Sequence, residues 1–182
     1  MREWLLPPNL LTLARIALTP FIGLGLARGD ARSILPLVLV AGISDALDGY
    51  LARRFRWTSA LGEKLDPIAD KFLLAVGFLA LWRAGTFPTW LIVLVLGRDL
   101  LILVFAAAVF AFTSIRRLPP TLWGKLSTVC QMALAGIAIL AAATQSAALS
   151  SLIGTVLIPA TAVATAWSAI HYAWTGWRLL RQ

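Results

Sequence analysis

One cysteine and one histidine in 182 residues leave this chain almost without soft metal ligands. Cys130 has no second cysteine to pair with, so an internal disulfide is excluded, as is any metal site built on several thiolates. Charge is scarce as well: 13% of residues are charged, only eight of them acidic, against a composition that is 60% hydrophobic. A water-soluble domain of this size cannot bury that much apolar surface, and a mean hydropathy of +0.85 makes lipid the expected solvent. The sixteen basic residues give a net charge of +8, and most of them stand at the ends of apolar runs. That placement argues for loop orientation and anionic lipid, and against nucleic acid. The start, "MREWLLPPNL", lacks the basic opening, continuous apolar run and small-residue cleavage site of a signal peptide, and the Arg/Ser-rich character of a transit peptide. The expectation is a bacterial-type plasma-membrane protein, kept whole. Low-complexity tracts and convincing internal repeats are both missing.

What the chain does have is six apolar segments, at about residues 9–28, 33–56, 61–83, 87–112, 120–144 and 147–177. Each is long enough to cross about 30 Å of hydrocarbon. Backbone polar groups cannot go unpaired in lipid, and the runs are continuous, not alternating, so they read as helices. The reading is an all-α integral membrane protein, a single domain over 1–182 made of a six-transmembrane-helix bundle. Residues 1–8 form a short interfacial segment with Trp4 at headgroup depth. "ARGDARS" (27–33), "RAGTFP" (83–88) and "RRLPP" (116–120) punctuate the runs with Gly, Pro and charge. Asn9, after two prolines, is placed as the N-cap of the first span. Short loops predict antiparallel neighbours. With the N-terminus inside, Arg2, Arg53, Arg54, Arg56, Arg116, Arg117, Arg178 and Arg181 fall on the inner side, and only Arg28, Arg32 and Arg83 outside. Both termini are therefore expected in the cytoplasm.

Against this background stands "SDALDGYLARRFRWTSALGEKLDPIAD", residues 44–70, with aspartates at 45, 48, 66 and 70. Asp45 and Asp48 are three apart, and Asp66 and Asp70 four apart, so each pair shares a helix face. Gly49 and Ala52 lie on nearly the same stripe as Asp45 and would let a bulky ligand approach the backbone. The link is short enough for the two helix ends to be neighbours, so the four carboxylates can converge. Converging anions beside lipid call for protonation or a cation. An all-oxygen donor set favours Mg²⁺ or Mn²⁺, and four carboxylates suffice for two such ions. Arg53 could take a phosphate bidentately. Simpler readings exist for single residues: Asp66 before Pro67 as an N-cap, Asp48-Gly49 as a turn, the arginines as a positive-inside patch. A membrane transporter or ion pathway is the rival of a different class, but it predicts acids spread through the bilayer depth.

The run Asp45-x2-Asp48-Gly49-x2-Ala52-Arg53-x8-Gly62-x3-Asp66-x3-Asp70 resembles the signature of the CDP-alcohol phosphotransferases at all eight specified positions. "PNLLTLAR" (8–15), "GRD" (97–99) and "GKLSTVCQ" (124–131) resemble segments of the branch making phosphatidylglycerolphosphate or cardiolipin. The resemblance implies a six-helix membrane enzyme, commonly a homodimer, with a polar cavity open to the cytoplasm. It implies transfer of the phosphatidyl group from CDP-diacylglycerol to an alcohol, with release of CMP and two divalent metal ions. By the same resemblance Asp45, Asp48, Asp66 and Asp70 are metal-binding acids, and Asp70 is also the general base. Gly49, Ala52, Arg53 and Gly62 match positions around the nucleotide. An inactive scaffold of the same fold would be expected to have lost an aspartate, and none is missing.

The acceptor is sought elsewhere. Arg98 lies mid-span in "VLVLGRDLLILVF" and should face a cavity or a partner. Asp99, about 100° around the helix, need not pair with it. One reading pairs Arg98 with an acid elsewhere in the bundle; the other places it, with Lys125, on an acceptor or lipid phosphate. Glycerol-3-phosphate users in the family usually show Arg-Glu here and another arginine eight residues on, whereas this chain has Arg98-Asp99 and then Ala106. "RRLPPTLWGKLSTVCQ" resembles the mitochondrial type of cardiolipin synthase. Phosphatidylglycerol is therefore the favoured acceptor and glycerol-3-phosphate the alternative. His171 is assigned to packing near Tyr172 and Trp174, Cys130 to buried packing, and Trp57 and Trp123 to headgroup-level anchoring.

Overall fold

The computed structural model describes residues 7–55, 62–112 and 121–179, and every element among them is helical. Helices α1 (Pro7–Ala27), α2 (Ala31–Phe55) and α3 (Gly62–Arg83) are followed by α4 (Thr89–Phe112) and α5 (Leu122–Thr144). A short α6 (Ala147–Leu152) runs through a π-helical turn (Ile153–Leu157) into α7 (Ile158–Leu179). Pro159 accounts for the wide turn: it has no N–H, and its ring crowds the carbonyl four residues back, so widening the preceding turn relieves the clash. Among the described residues, four stretches are long and apolar enough to cross a membrane: Asn9–Ala27, Thr89–Ala108, Leu122–Thr144 and Ala147–Thr175. The protein is a multi-pass membrane protein. Ala31–Ser44 of α2 is a shorter apolar stretch.

The punctuation seen in the sequence becomes defined chemistry at the helix ends. After α1, Gly29 takes φ 78° while its N–H bonds to the Leu26 carbonyl and the Asp30 N–H to the Gly25 carbonyl. The same pair of bonds recurs at Gly85 (φ 78°), from Gly85 to Trp82 and from Thr86 to Leu81. Both are Schellman ends, which need the left-handed conformation that glycine adopts without strain. Asp30 then starts α2, its Oδ1 accepting the Ser33 N–H at 3.3 Å. Asn9 departs from expectation. It is 2% exposed and lies inside α1, because Pro7 and Pro8 occupy first-turn positions where no N–H is needed.

The chain divides into two compact units, residues 1–86 with 139–146, and 87–138 with 147–182. In the first unit, contacts between α1 and α3 keep a nearly constant offset of 53 to 55 residues: Thr12 with Asp66, Arg15 with Asp70, Gly23 against Val76. A near-constant difference in residue number means parallel helices, as an up-down-up hairpin pair requires. Gly25 packs on Ile34 across the α1–α2 turn, the antiparallel neighbour expected of a short loop. Asp45 and Asp48 in the last half of α2, and Asp66 and Asp70 in the first half of α3, therefore fall at the same end of this unit.

A Cβ at Gly23 would collide with the Val76 side chain, and a valine has little freedom to move aside. Gly23→Ala is expected to force α1 and α3 apart and to cost about 1–3 kcal/mol. Thermal unfolding in detergent should show it, with Gly42→Ala, where a Cβ meets nothing within 4 Å, as the silent comparison.

In the second unit α5 and α7 run antiparallel, as residue numbers that sum to a near-constant value require. Ser127 Oγ lies 3.1 Å from Thr165 Oγ1, Gln131 Nε2 donates to both at 3.2 Å, and Thr161 Oγ1 donates to the Cys130 carbonyl at 3.3 Å. All of these side chains but Cys130 are buried; the cysteine is half-buried. Hydrogen bonds between helices replace the hydrophobic drive that lipid cannot supply. Trp123 meets Trp167 edge-on at 5.8 Å, and His171 meets Trp174 edge-on at 6.3 Å, the packing contact foreseen for the histidine.

Candidate active site

Helix bounds settle two local questions about the aspartates. α3 begins at Gly62, so Asp66 lies in its second turn and is not an N-cap; Pro67 sits inside the helix. α2 continues to Phe55, so Asp48-Gly49 is helical and not a turn. Asp45, Asp48, Gly49, Ala52 and Arg53 are thus carried by one helix, and Gly62, Asp66 and Asp70 by the next. The side-chain surroundings of Asp45, Asp48, Gly49, Ala52, Arg53 and Gly62 lie outside the described residues.

Asp66 and Asp70 are described, and both are held by α1. Thr12 Oγ1 donates to Asp66 Oδ1 at 2.7 Å. One turn further along both helices, Arg15 Nη1 donates to Asp70 Oδ1 at 2.8 Å. The Arg15 side chain is 2% exposed and that of Asp70 is 43% exposed. The cation is therefore sunk between helices while the carboxylate it meets opens outward. A buried guanidinium needs an anion, and Asp70 supplies it without being buried itself. Asn9, Thr12, Arg15 and Thr19 form one buried polar stripe on an otherwise apolar helix. That stripe, at spacings of three, three and four, is the signal that could have drawn attention to Thr12 and Arg15 as site residues.

Asp66 and Asp70 present two carboxylates one turn apart on α3, oxygen donors of the kind a hard divalent ion takes. Among the described residues no group of three His, Cys, Asp or Glu side chains is gathered to hold a metal. The side chains of Asp45 and Asp48, the other two candidate acids, lie outside the described residues. Asp66 and Asp70 are the described half of the set.

Arg98 and Lys125 belong to the second unit. Arg98 is 4% exposed, and all three of its nitrogens donate within the protein. Nε and Nη2 donate to Ser168 Oγ at 3.2 and 2.9 Å, Nη2 also to the Gly124 carbonyl at 3.2 Å, and Nη1 to Asp99 Oδ1 at 2.6 Å. The Tyr172 ring lies 5.9 Å from the guanidinium carbon. Adjacent positions do pair here, because the arginine stem is long enough to fold back across the step between Cβ directions. Lys125, one residue beyond the Gly124 carbonyl, is exposed. Ser168 is new as a partner, and Gly124 stands in the sequence only as part of the segment 124–131.

Residues 5–170 match the family model of CDP-alcohol phosphatidyltransferases. A Drosophila melanogaster protein named "Probable cardiolipin synthase (CMP-forming)" is 34% identical over 149 residues, covering 72% of this chain and 46% of that protein. The Rattus norvegicus "Cardiolipin synthase (CMP-forming)" is 38% identical over 113 residues, 62% of this chain and 36% of its own length. A Mycobacterium tuberculosis "Probable phosphatidylglycerophosphate synthase" is 35% identical over 139 residues, 72% of this chain and 65% of that protein. The chain thus spans less than half the length of the animal relatives.

Proposed function

The chain belongs to the CDP-alcohol phosphatidyltransferase family, and on that footing we propose that it transfers the phosphatidyl group of CDP-diacylglycerol to phosphatidylglycerol, forming cardiolipin and releasing CMP. The observation that carries this reading is the common end of the first unit that the last half of α2 and the first half of α3 share. α2 and α3 bring four aspartates to one end of the first unit, and α1 fixes a carboxylate oxygen of each of the two on α3. In this reading Asp45, Asp48, Asp66 and Asp70 would hold two Mg²⁺ or Mn²⁺ ions. When bound, such ions offset the charge of the pyrophosphate and of the departing CMP. Asp70 takes the proton of the acceptor hydroxyl, a task its outward-facing carboxylate suits. Gly49, Ala52, Arg53 and Gly62 receive the nucleotide, the small residues leaving room beside the backbone and Arg53 meeting phosphate.

Arg98 and Lys125 are assigned to the acceptor's phosphate in unequal parts. Lys125 is the exposed cation; Arg98 holds the Gly124 carbonyl one residue away. Support for phosphatidylglycerol comes from Ala106, where a phosphomonoester acceptor would want a further cation, and from relatives named cardiolipin synthase. The alternative acceptor is glycerol-3-phosphate, supported by the relative named phosphatidylglycerophosphate synthase. We place the protein in a bacterial-type inner membrane as six spans in one domain, with termini and active site cytoplasmic, and as a homodimer. The tally of arginines on the inner side supports that orientation.

The test is a side-by-side assay of the purified protein with CDP-diacylglycerol and either acceptor, identifying the lipid formed. Cardiolipin from phosphatidylglycerol is the expected product, and chelation of divalent ions is expected to stop CMP release. Phosphatidylglycerolphosphate as the sole product would overturn the acceptor, and turnover that survives chelation would overturn the metal reading.

A further inference from the structure

We propose that Thr12 and Arg15 of α1 are positioning residues for this transfer, aiming the Asp66 and Asp70 carboxylates from the neighbouring helix. The proposal rests on the reading of those aspartates given above and adds two residues outside the eight-position signature. A carboxylate on a helix can turn about its last bond, so helix position alone does not direct its two oxygens. One hydrogen bond to one oxygen removes that freedom and sets the direction of the other. Thr12 does this for Asp66 at 2.7 Å and Arg15 for Asp70 at 2.8 Å.

The two contacts act as rungs between parallel helices. Thr12 and Arg15 are three residues apart, Asp66 and Asp70 four, so both pairs lie along the seam where α1 packs on α3. Both donors are buried, at 0% and 2% exposure, and so are held by the surrounding packing. The acceptors are only partly buried. Rigid donors behind open carboxylates is the arrangement by which outer partners orient metal-ligating groups. Arg15 does a second thing: its charge lies next to Asp70, which lowers the repulsion of gathering several carboxylates at one helix end.

The experiment compares Thr12→Val, which keeps the shape and loses the hydroxyl, with Thr12→Ser, which keeps the hydroxyl. Mn²⁺ binding to the purified full chain is followed by its EPR signal, alongside CMP release. Thr12→Val is expected to weaken Mn²⁺ binding about 10–100-fold, the usual loss for an outer partner of a metal ligand. Thr12→Ser is expected to restore it to within a few-fold. Arg15→Met is expected to lower kcat by about 10–100-fold with little change in the KM for CDP-diacylglycerol, and Arg15→Lys to recover part of that. Asp66→Asn separates the two levels of the argument. If Mn²⁺ binds the native protein and is lost in Asp66→Asn, yet binds Thr12→Val as it binds the native protein, the positioning role is refuted and the metal reading stands. If the native protein binds no Mn²⁺, or Asp66→Asn binds it normally, the metal reading fails and takes the positioning role with it. A raised KM at unchanged kcat in Arg15→Met would make Arg15 a substrate contact, which also refutes the proposal.

Discussion

Asp70→Asn is expected to lower the rate of CMP release by about a thousand-fold or more while leaving the helical fold in place. The size follows from two losses at one atom group. A positioned general base contributes typically about 10²–10⁴ in rate, and an amide cannot accept the hydroxyl's proton. The substitution also removes one of the four anionic ligands proposed for the metals. The fold should survive because the amide oxygen can still accept the hydrogen bond that Arg15 Nη1 gives to Oδ1 at 2.8 Å. Asparagine has the same shape and the Asp70 side chain is 43% exposed, so the helices stay packed, but the buried Arg15 guanidinium loses its anion and the variant is expected to unfold at a lower temperature than the native protein. Asp70→Glu is the informative companion. It keeps the carboxylate but moves it by more than one ångström, and misplacement on that scale can cost about 10²-fold. Turnover should therefore rank native, Glu, Asn. Native-like turnover in a monodisperse Asp70→Asn sample would remove Asp70 from the role of base.

Particular residues show why parts of this site could be read from the chain and parts could not. The helix limits were legible because lipid forbids unpaired backbone and because Gly29 and Gly85 stop helices by a local, left-handed conformation. That Asp45 and Asp48 share one helix and Asp66 and Asp70 the next was legible because helix patterning is also local. The hold of Thr12 on Asp66 was not, since it depends on the register between α1 and α3, set by packing such as Gly23 against Val76. Asn9 misled for a local reason: two prolines looked like a stop before the helix, though the first turn accommodates both. The partners of Arg98 were out of reach because two of them, Ser168 and the Gly124 carbonyl, come from other helices, and one of those is backbone.

That arginine carries the second large effect: Arg98→Met is expected to destabilise the second unit by about 3–5 kcal/mol. Arg98 ties three helices together, α4 to α7 through Ser168 Oγ and α4 to α5 through the Gly124 carbonyl. Methionine fills similar volume but withdraws the Arg98 N–H groups from Ser168 Oγ and from the Gly124 carbonyl, which still accepts from Thr128 Oγ1 at 3.1 Å. It also leaves Asp99, whose side chain is only 24% exposed, without the guanidinium it meets at 2.6 Å. The double variant Arg98→Met, Asp99→Leu should recover a large part of the loss, because removing both charges is far cheaper than orphaning one. Arg98→Lys separates this role from phosphate contact. A lysine keeps the charge that a phosphate would feel, but its single ammonium cannot reach Ser168, Gly124 and Asp99 from three nitrogens at once. Stability measured by thermal unfolding should therefore fall for Lys nearly as for Met. If Lys unfolds like the native protein while only acceptor KM changes, Arg98 is a phosphate ligand first and a tie between helices second.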